Sequence, residues 1–534
     1  MRKRSLAGVT AVALVTALLA ACGSGSSSPG ATGSPGGKAV SGGTVTVGIA
    51  SAPDTLDPVQ ASSYESRVVL INLCQALYTI NSSNNLVPVL ATAMPTITNG
   101  GKTYTIHVRS GIKFNDGTPF NAAAVQYTLE RDIHDSLSVQ AAYLTAVKSV
   151  SVVNPTTVQI QLTQPYAPLT ALLADRAGMI GSPAQLKKLG NKFGTDPVCV
   201  APFAFSSEPS DDQIILKKSS DYYGASHVHI GTLIYQVITQ PSILATDLQA
   251  GSIQVANDLI PSVLSSLKTD SSLHLMESTS LGYNGIAINI DNTHGAGTPP
   301  FTTADNPLAK YPALREAFNL ALNRETINKV LFDGDYVPGC GAISPASPYF
   351  PNVPCPAQNV AEAKKLVKST GLPLPIPITL ITEAGDQEQV EEGTVLQQML
   401  GAVGFKLTLQ PLEANTGATD AEDGKFELYL GQWSGRVDPE QNIQVFWEPS
   451  SRINYSGIDD TALDNVLAQA RSITNVSQRR ALYAQATKLM LSNLGYITLY
   501  YSKWIIGVRS DVTGVQLYSD GLPRMENASL TSGS

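Results

Sequence analysis

The pattern that most limits the fold of this chain lies between residues 378 and 430. Residues 378–381 (Ile-Thr-Leu-Ile) read as a strand, 387–402 as a helix and 405–409 (Phe-Lys-Leu-Thr-Leu) as a strand again. Helical periodicity between two short apolar runs makes a βαβ unit, and such units build a parallel sheet. Residues 426–430 supply the next strand. Pro312 opens an earlier helix in which Leu314, Phe318, Ala321 and Leu322 share a face, since proline is preorganised for a first helical turn. Helices near 460–471 and 478–492 and a strand over 496–501 complete an α/β block. The 426–430 strand stops in Gly431-Gln432-Trp433-Ser434-Gly435-Arg436-Val437-Asp438-Pro439-Glu440. Such a loop presents an aromatic face, a fixed cation and an anion together. In open α/β sheets, ligands bind outside the carboxyl ends of strands. Trp433, Ser434, Gly435, Arg436 and Asp438 are therefore candidate ligand-binding residues. Trp433 offers a flat apolar wall, and the planar fork of Arg436 suits a carboxylate. Asp438 can brace that fork or take an ammonium group, and Gly435 allows close backbone approach.

The first half is richer in strands. A strand over 43–50, a helix over 64–78, a hairpin of 103–108 with 112–114 and a second hairpin of 150–153 with 158–162 are expected. Asn121 can cap a helix over 122–132. The strands over 283–289 and 496–501 flank the α/β block, which makes them natural crossings between two lobes. Tyr283 and Asn284 at such a crossing are further candidate ligand contacts.

The amino terminus points to export. Arg2-Lys3-Arg4 is followed by an apolar stretch to Ala21, too short for a comfortable membrane span and typical of a signal peptide (1–21). Residues 22–43, after Leu19-Ala20-Ala21, begin with Cys22 and continue almost entirely in Gly, Ser, Ala, Pro and Thr, the composition of a flexible tether. The net charge of −8 is spread without basic clusters, which argues against nucleic acid as a partner. Four cysteines follow Cys22, and an even number in an exported chain suggests disulfides. Cys340 and Cys355 bracket a loop rich in Pro and Gly and are expected to pair, leaving Cys74 with Cys199. No Cys-x-x-Cys spacing, and no third ligand beside His227 and His229, suggests a metal site. No cofactor is implied. His-Glu-x-x-His, Gly-x-Ser-x-Gly and phosphate-cradling glycine loops are lacking, so nothing in the sequence supports an enzyme.

Gly111-Ile112-Lys113-Phe114-Asn115-Asp116-Gly117-Thr118-Pro119-Phe120 resembles a run found in the substrate-binding proteins of bacterial peptide and nickel ABC importers. Thr55-Leu56-Asp57-Pro58, Asp221-Tyr222-Tyr223, Leu248-Gln249-Ala250-Gly251, the run from Arg315 to Arg324 and the run from Trp433 to Asp438 match the same family in order. Leu19 to Cys22 resembles a lipobox, whose cysteine becomes the lipidated first residue. The resemblance implies an α/β, two-lobed fold of the periplasmic-binding-protein type (type II, large peptide-binder variant) with a ligand cleft between lobes. Lobe I would be 44–283 with a return over 499–534, and lobe II 284–498. It also implies a monomer, lipid-anchored on the extracytoplasmic face of the cell membrane. Such a protein captures a peptide or peptide-like solute and delivers it to a permease and its ATPase. A ligand sensor, or a binder of metal, haem or siderophore-like chelates, is the alternative on this fold, and an extracellular hydrolase a remoter one. The chain departs from the family at Arg436. The dipeptide binders carry there an Asp that takes the peptide amino group, and the Trp-Ser-Gly-Arg pattern is closer to the glutathione-type binders.

Overall fold

The computed structural model describes residues 39–532. Cys22, the leader before it and the tether up to residue 38 lie outside them. Two large sheets organise the described chain. The first has seven strands, in the order Leu273–Thr279, Lys503–Arg509, Val255–Ala256, Thr44–Ile49, Thr232–Val237, Gln213–Lys218 and Phe203–Ser210. The second has six, in the order Val337–Pro338, Tyr496–Tyr501, Tyr283–Ile288, Leu428–Trp433, Ile376–Glu383 and Phe405–Leu412. We call the halves built on them lobe I and lobe II.

The βαβ unit forms as its periodicity predicts. Strands Ile376–Glu383 and Phe405–Leu412 pair in parallel, with Ile378 opposite Leu407. Helix Gln387–Gly401 connects them, and the Asp386 side chain caps it by accepting from the Gln389 N–H. Helix Pro312–Ala321 buries Leu314, Ala317, Phe318 and Ala321 against the sheet, the face its spacing implies.

Two local expectations give way to tertiary structure. Residues 103–108 and 112–114 do not form a hairpin. Strand Thr103–His107 pairs instead with Thr96–Thr98 and, over five residue pairs, with Thr157–Leu162. The longer alternating strand offers more ladder bonds than a three-residue partner can. After Val108 the chain turns inward, and Phe114 and Phe120 meet edge to face at 5.8 Å inside lobe I. The first helix also stops early, at Tyr64–Leu73, and Tyr78 begins the short strand Tyr78–Ile80. Cys74 ends it because that residue is bonded to Cys199, with the two Cα atoms 5.0 Å apart, while the Gln75 N–H turns to the Val200 carbonyl. A second disulfide joins Cys340 to Cys355.

The chain crosses between the large sheets twice, after Thr279 and after Tyr501. The Ser280 N–H donates to the Ser502 carbonyl at 2.9 Å and ties the crossings together. The lobes also touch at their rim, where the Ala167 N–H donates to the Arg471 carbonyl. Among the described residues no helix is long and apolar enough to cross a membrane.

Candidate functional site

Strand Leu428–Trp433 runs antiparallel to Tyr283–Ile288 and ends with Trp433 opposite Tyr283, next to the first crossing. The loop that follows turns at Gly435, whose φ is +73°. A Cβ there would lie 2.2 Å from backbone atoms of Leu281 and Gly282. The glycine therefore lets the loop press on the protein's own crossing strand, a role different from the expected approach to ligand. Gly435→Ala combines a left-handed backbone with a backbone clash, and is expected to cost on the order of 2 kcal/mol or more. Urea unfolding checks this, and a variant as stable as the parent would contradict it.

Asn442 braces the loop from helix Glu440–Trp447. Its Oδ1 accepts from Trp433 Nε1 at 3.1 Å and from the Arg436 N–H at 2.7 Å, and its Nδ2 donates to the Arg436 carbonyl at 2.9 Å. The Trp433 ring meets Phe446 edge to face and has the Arg436 guanidinium 5.1 Å from its centre. It also walls a cavity of about 230 Å³ shared with Tyr429, Gln432, Tyr455 and Tyr496. Ser434 accepts from Arg436 Nη1 at 3.0 Å.

Arg436 reaches across to lobe I. Its Nε lies 3.2 Å from Asp175 Oδ2. Arg67 Nε approaches the other oxygen of the same carboxylate at 3.3 Å, and Arg176 Nε stands 3.8 Å from it. Three guanidinium groups thus share one carboxylate. Burial alone would raise the Asp175 carboxyl, but Arg67, Arg176 and Arg436 outweigh it and hold it well below the usual range. Burial, then the neighbouring Arg67, brings Arg436 down to about 9, still charged at neutral pH. Arg67 Nη1 and Arg176 Nε are buried donors without a hydrogen-bond partner. The Arg67, Asp175 and Arg436 side chains, with Gln441, line a gap of about 20 Å³ between the lobes. An arrangement with surplus positive charge and spare donors suits an anionic group.

Asp438 departs from both roles expected of it. Its carboxylate receives two hydrogen bonds from Arg479, at 2.6 and 2.7 Å, and a third from the Glu440 N–H. Arg479 also donates to the hydroxyl oxygens of Tyr483 and Tyr349. With Asp438 at 2% and Arg479 at 1% exposure, this pair belongs to the interior of lobe II. It does not brace Arg436, and its carboxylate is taken up by Arg479 and the Glu440 N–H. Tyr283 departs similarly. It is fully buried, packs edge to face on Tyr496, and its hydroxyl donates to the Asn442 carbonyl. The ring supports the brace behind the loop and has no open face. Asn284 lies in the middle of the sheet, opposite Gln432 and Tyr500.

Arg67, Asp175, Arg176 and Asn442 are the residues that the sequence reading missed. The first three carry one faint signal, a charged group set in an apolar helix or beside the apolar run 169–173. Among the described residues no group of His, Cys, Asp and Glu is arranged to hold a metal ion.

Comparison with known proteins gives this geometry its context. Along its whole length the chain is similar to the glutathione-binding protein GsiB of Escherichia coli K12, 28% identical with 98% of each chain covered. Among solved structures it resembles the periplasmic binding protein DppA of Helicobacter pylori in complex with the peptide STSA. The TM-score is 0.78 at 22% identity, covering 92% of this chain and 99% of that one. It resembles NikZ of Campylobacter jejuni, in complex with Ni(L-His), at a TM-score of 0.78 and 21% identity, covering 91% and 99%. The family model for the middle part of bacterial extracellular solute-binding proteins, family 5, matches residues 85–454. With two sheets bridged by paired crossings and a charged gap between them, the chain belongs to the bacterial extracellular solute-binding proteins of family 5.

Proposed function

We propose that the protein captures a peptide or peptide-like solute bearing an acidic group, between its lobes, and hands it to an ABC permease. The single observation that carries the reading is the Arg436–Asp175 contact, where a lobe II cation meets an over-subscribed carboxylate of lobe I. A carboxylate of the solute entering this gap supplies the acceptors that Arg67 and Arg176 lack. Trp433 and Ser434 border the same loop and supply an apolar wall and a hydroxyl. Asn284, on the strand that follows the first crossing, is a further contact in this reading. The lobes close on the solute about residues 280–282 and 502, with 44–283 and 499–534 forming most of lobe I and 284–498 most of lobe II. The glutathione-binding relative and the transporter-associated neighbour in complex with a peptide support the solute class. Cys22 anchors the monomeric protein by lipid to the outer face of the cell membrane after removal of the signal peptide. The protein acts by binding and carries out no catalysis.

The test joins titration and shape. Short peptides with free carboxylates should bind the purified protein, and their carboxyl-amidated forms at least tenfold more weakly. A hinged binder closes only as far as the ligand prefers the closed state. Small-angle scattering should accordingly show a smaller radius of gyration at saturation. Binding indifferent to amidation, or saturation without contraction, would overturn the reading.

A further inference from the structure

A second charged cluster lies between the lobes, opposite in sign to the first. Asp258 follows strand Val255–Ala256 of lobe I. Its φ is +57°, an uncommon conformation for a residue with a side chain. The strand line is pinned on either side of it, by the Asn257 N–H to the Gly48 carbonyl and by the Leu259 N–H to the Ile505 carbonyl. Asp258 is thus turned out of the sheet at a fixed point. Lobe II contributes Glu388 and Glu392, four residues apart on helix Gln387–Gly401 and so on one face. Glu392 is 2% exposed; its Oε2 accepts from the Tyr500 hydroxyl at 3.1 Å and its Oε1 has no partner. Asn257, 1% exposed, donates through Nδ2 to the Tyr64 hydroxyl while its Oδ1 has none.

The charges around this cluster do not balance. Burial raises all three carboxyls, Asp258 to about 6 and both glutamates to about 8. The neighbours felt by them are Glu65, Asp386, Glu391 and one another, with the Tyr500 hydroxyl as a lesser opposing influence on Glu392. Among the described residues no ion pair involves Asp258, Glu388 or Glu392, and Lys268 of lobe I is engaged with Asp335. Aromatic rings frame the place. Phe332 packs on Tyr336 at 4.4 Å, and Tyr336 stacks on Tyr500 at 5.6 Å. Tyr64 stacks on Trp504 at 4.5 Å. The faces of such rings attract cations. Burial raises the Tyr64 hydroxyl well above its ordinary value; the charge of Asp258 adds to this, and the Asn257 hydrogen bond and the charge of Arg67 oppose it.

We infer that Asp258, Glu388 and Glu392 form a cation subsite for an ammonium or guanidinium group of the solute, at the opposite pole from Arg436. The missing partners at the two poles are complementary. Near Arg436 the orphan atoms are donors, and near Asp258 they are acceptors. An ammonium group brings three donors and a guanidinium five, with no acceptor to satisfy. Burial makes these carboxyls costly to ionise, and a bound cation offsets that cost. The inference rests on the reading of the protein as a binder of acidic peptide-like solutes, and it fixes their direction. The amino end lies at Asp258 and the acid end at Arg436.

Two arms keep this inference separate from that reading. In the first, ethylammonium and methylguanidinium chlorides are compared with sodium chloride at equal ionic strength by thermal melting. Both organic cations should raise the melting temperature saturably in the wild type, and not in Asp258→Asn or Glu388→Gln. These near-isosteric variants remove a buried ionisable carboxyl and should melt no lower than the wild type in sodium chloride, which confirms that they fold. In the second, a pool of tripeptides, half of it acetylated at the amine, is offered to each protein and the retained species are weighed by mass spectrometry. The wild type should retain free amines at least tenfold over acetylated ones, and Glu388→Gln should lose that preference. Stabilisation by the cations with no peptide retained overturns the peptide reading and leaves the subsite. Peptides retained regardless of acetylation, with no stabilisation by the cations beyond sodium chloride, overturn the subsite and leave the reading.

Discussion

Asp438→Ala is expected to lower stability by about 3–5 kcal/mol, because it leaves the buried Arg479 charge without its partner. Arg479 gives two of its hydrogen bonds to that carboxylate, and its Nε already lacks a partner. The two tyrosine hydroxyls that remain are neutral and cannot balance a guanidinium at 1% exposure. A buried pair replaced as a unit behaves differently, since apolar groups of similar volume avoid the desolvation of both charges. Asp438→Leu with Arg479→Met should therefore recover most of the loss. Chemical denaturation of the two variants checks this. A single variant within about 1 kcal/mol of wild type would return Asp438 to the list of ligand contacts, because a group meant for a ligand is not needed by the empty fold.

Arg436→Ala should have the opposite signature. Asp175 retains Arg67 and Arg176, so no charge is stranded and the melt should move little. Affinity for an acidic peptide should fall by well over tenfold, since removing one partner of a desolvated charge pair typically costs about 2–5 kcal/mol in binding. Arg436→Lys keeps the charge but loses the planar fork. It should fall between the two, because a point charge cannot hold Asp175 and a ligand oxygen in the same geometry. Calorimetric titration beside the thermal melt separates recognition from bracing. A large fall in melting temperature with unchanged affinity would make Arg436 a structural latch between lobes.

The backbone of lobe II was legible because local and tertiary preferences agree there. The helix over 387–402 and the strands beside it have the period, the cap and the turn chemistry that the parallel sheet requires. In lobe I the expected 103–114 hairpin was a sound local inference that a better partner, Thr157–Leu162, displaced. The loop after Trp433 was also legible, as a concentration of Trp, Gly, Arg and Asp at a strand end. What those residues do was not. Asp438 and Arg436 are two positions apart, yet one turns into lobe II toward Arg479 and the other across the gap toward Asp175. Nothing in spacing distinguishes them, because the partners lie 41 residues later in the first case and in the other lobe in the second. Asp258 and Glu388 were invisible for the same reason. A carboxylate on a helix face or after a strand is ordinary until the fold sets two of them against each other without a cation.

The most direct test of the account is to identify the solute that travels with the protein. Wild type and Arg436→Ala, purified in parallel from bacteria grown in peptide-rich medium, are unfolded and the released small molecules identified by mass spectrometry. The account predicts a peptide or peptide-like acid with a free amine in the wild type, near one per protein, and at least tenfold less of it in the variant. A solute without an acidic group, or equal occupancy of the two proteins, would contradict it.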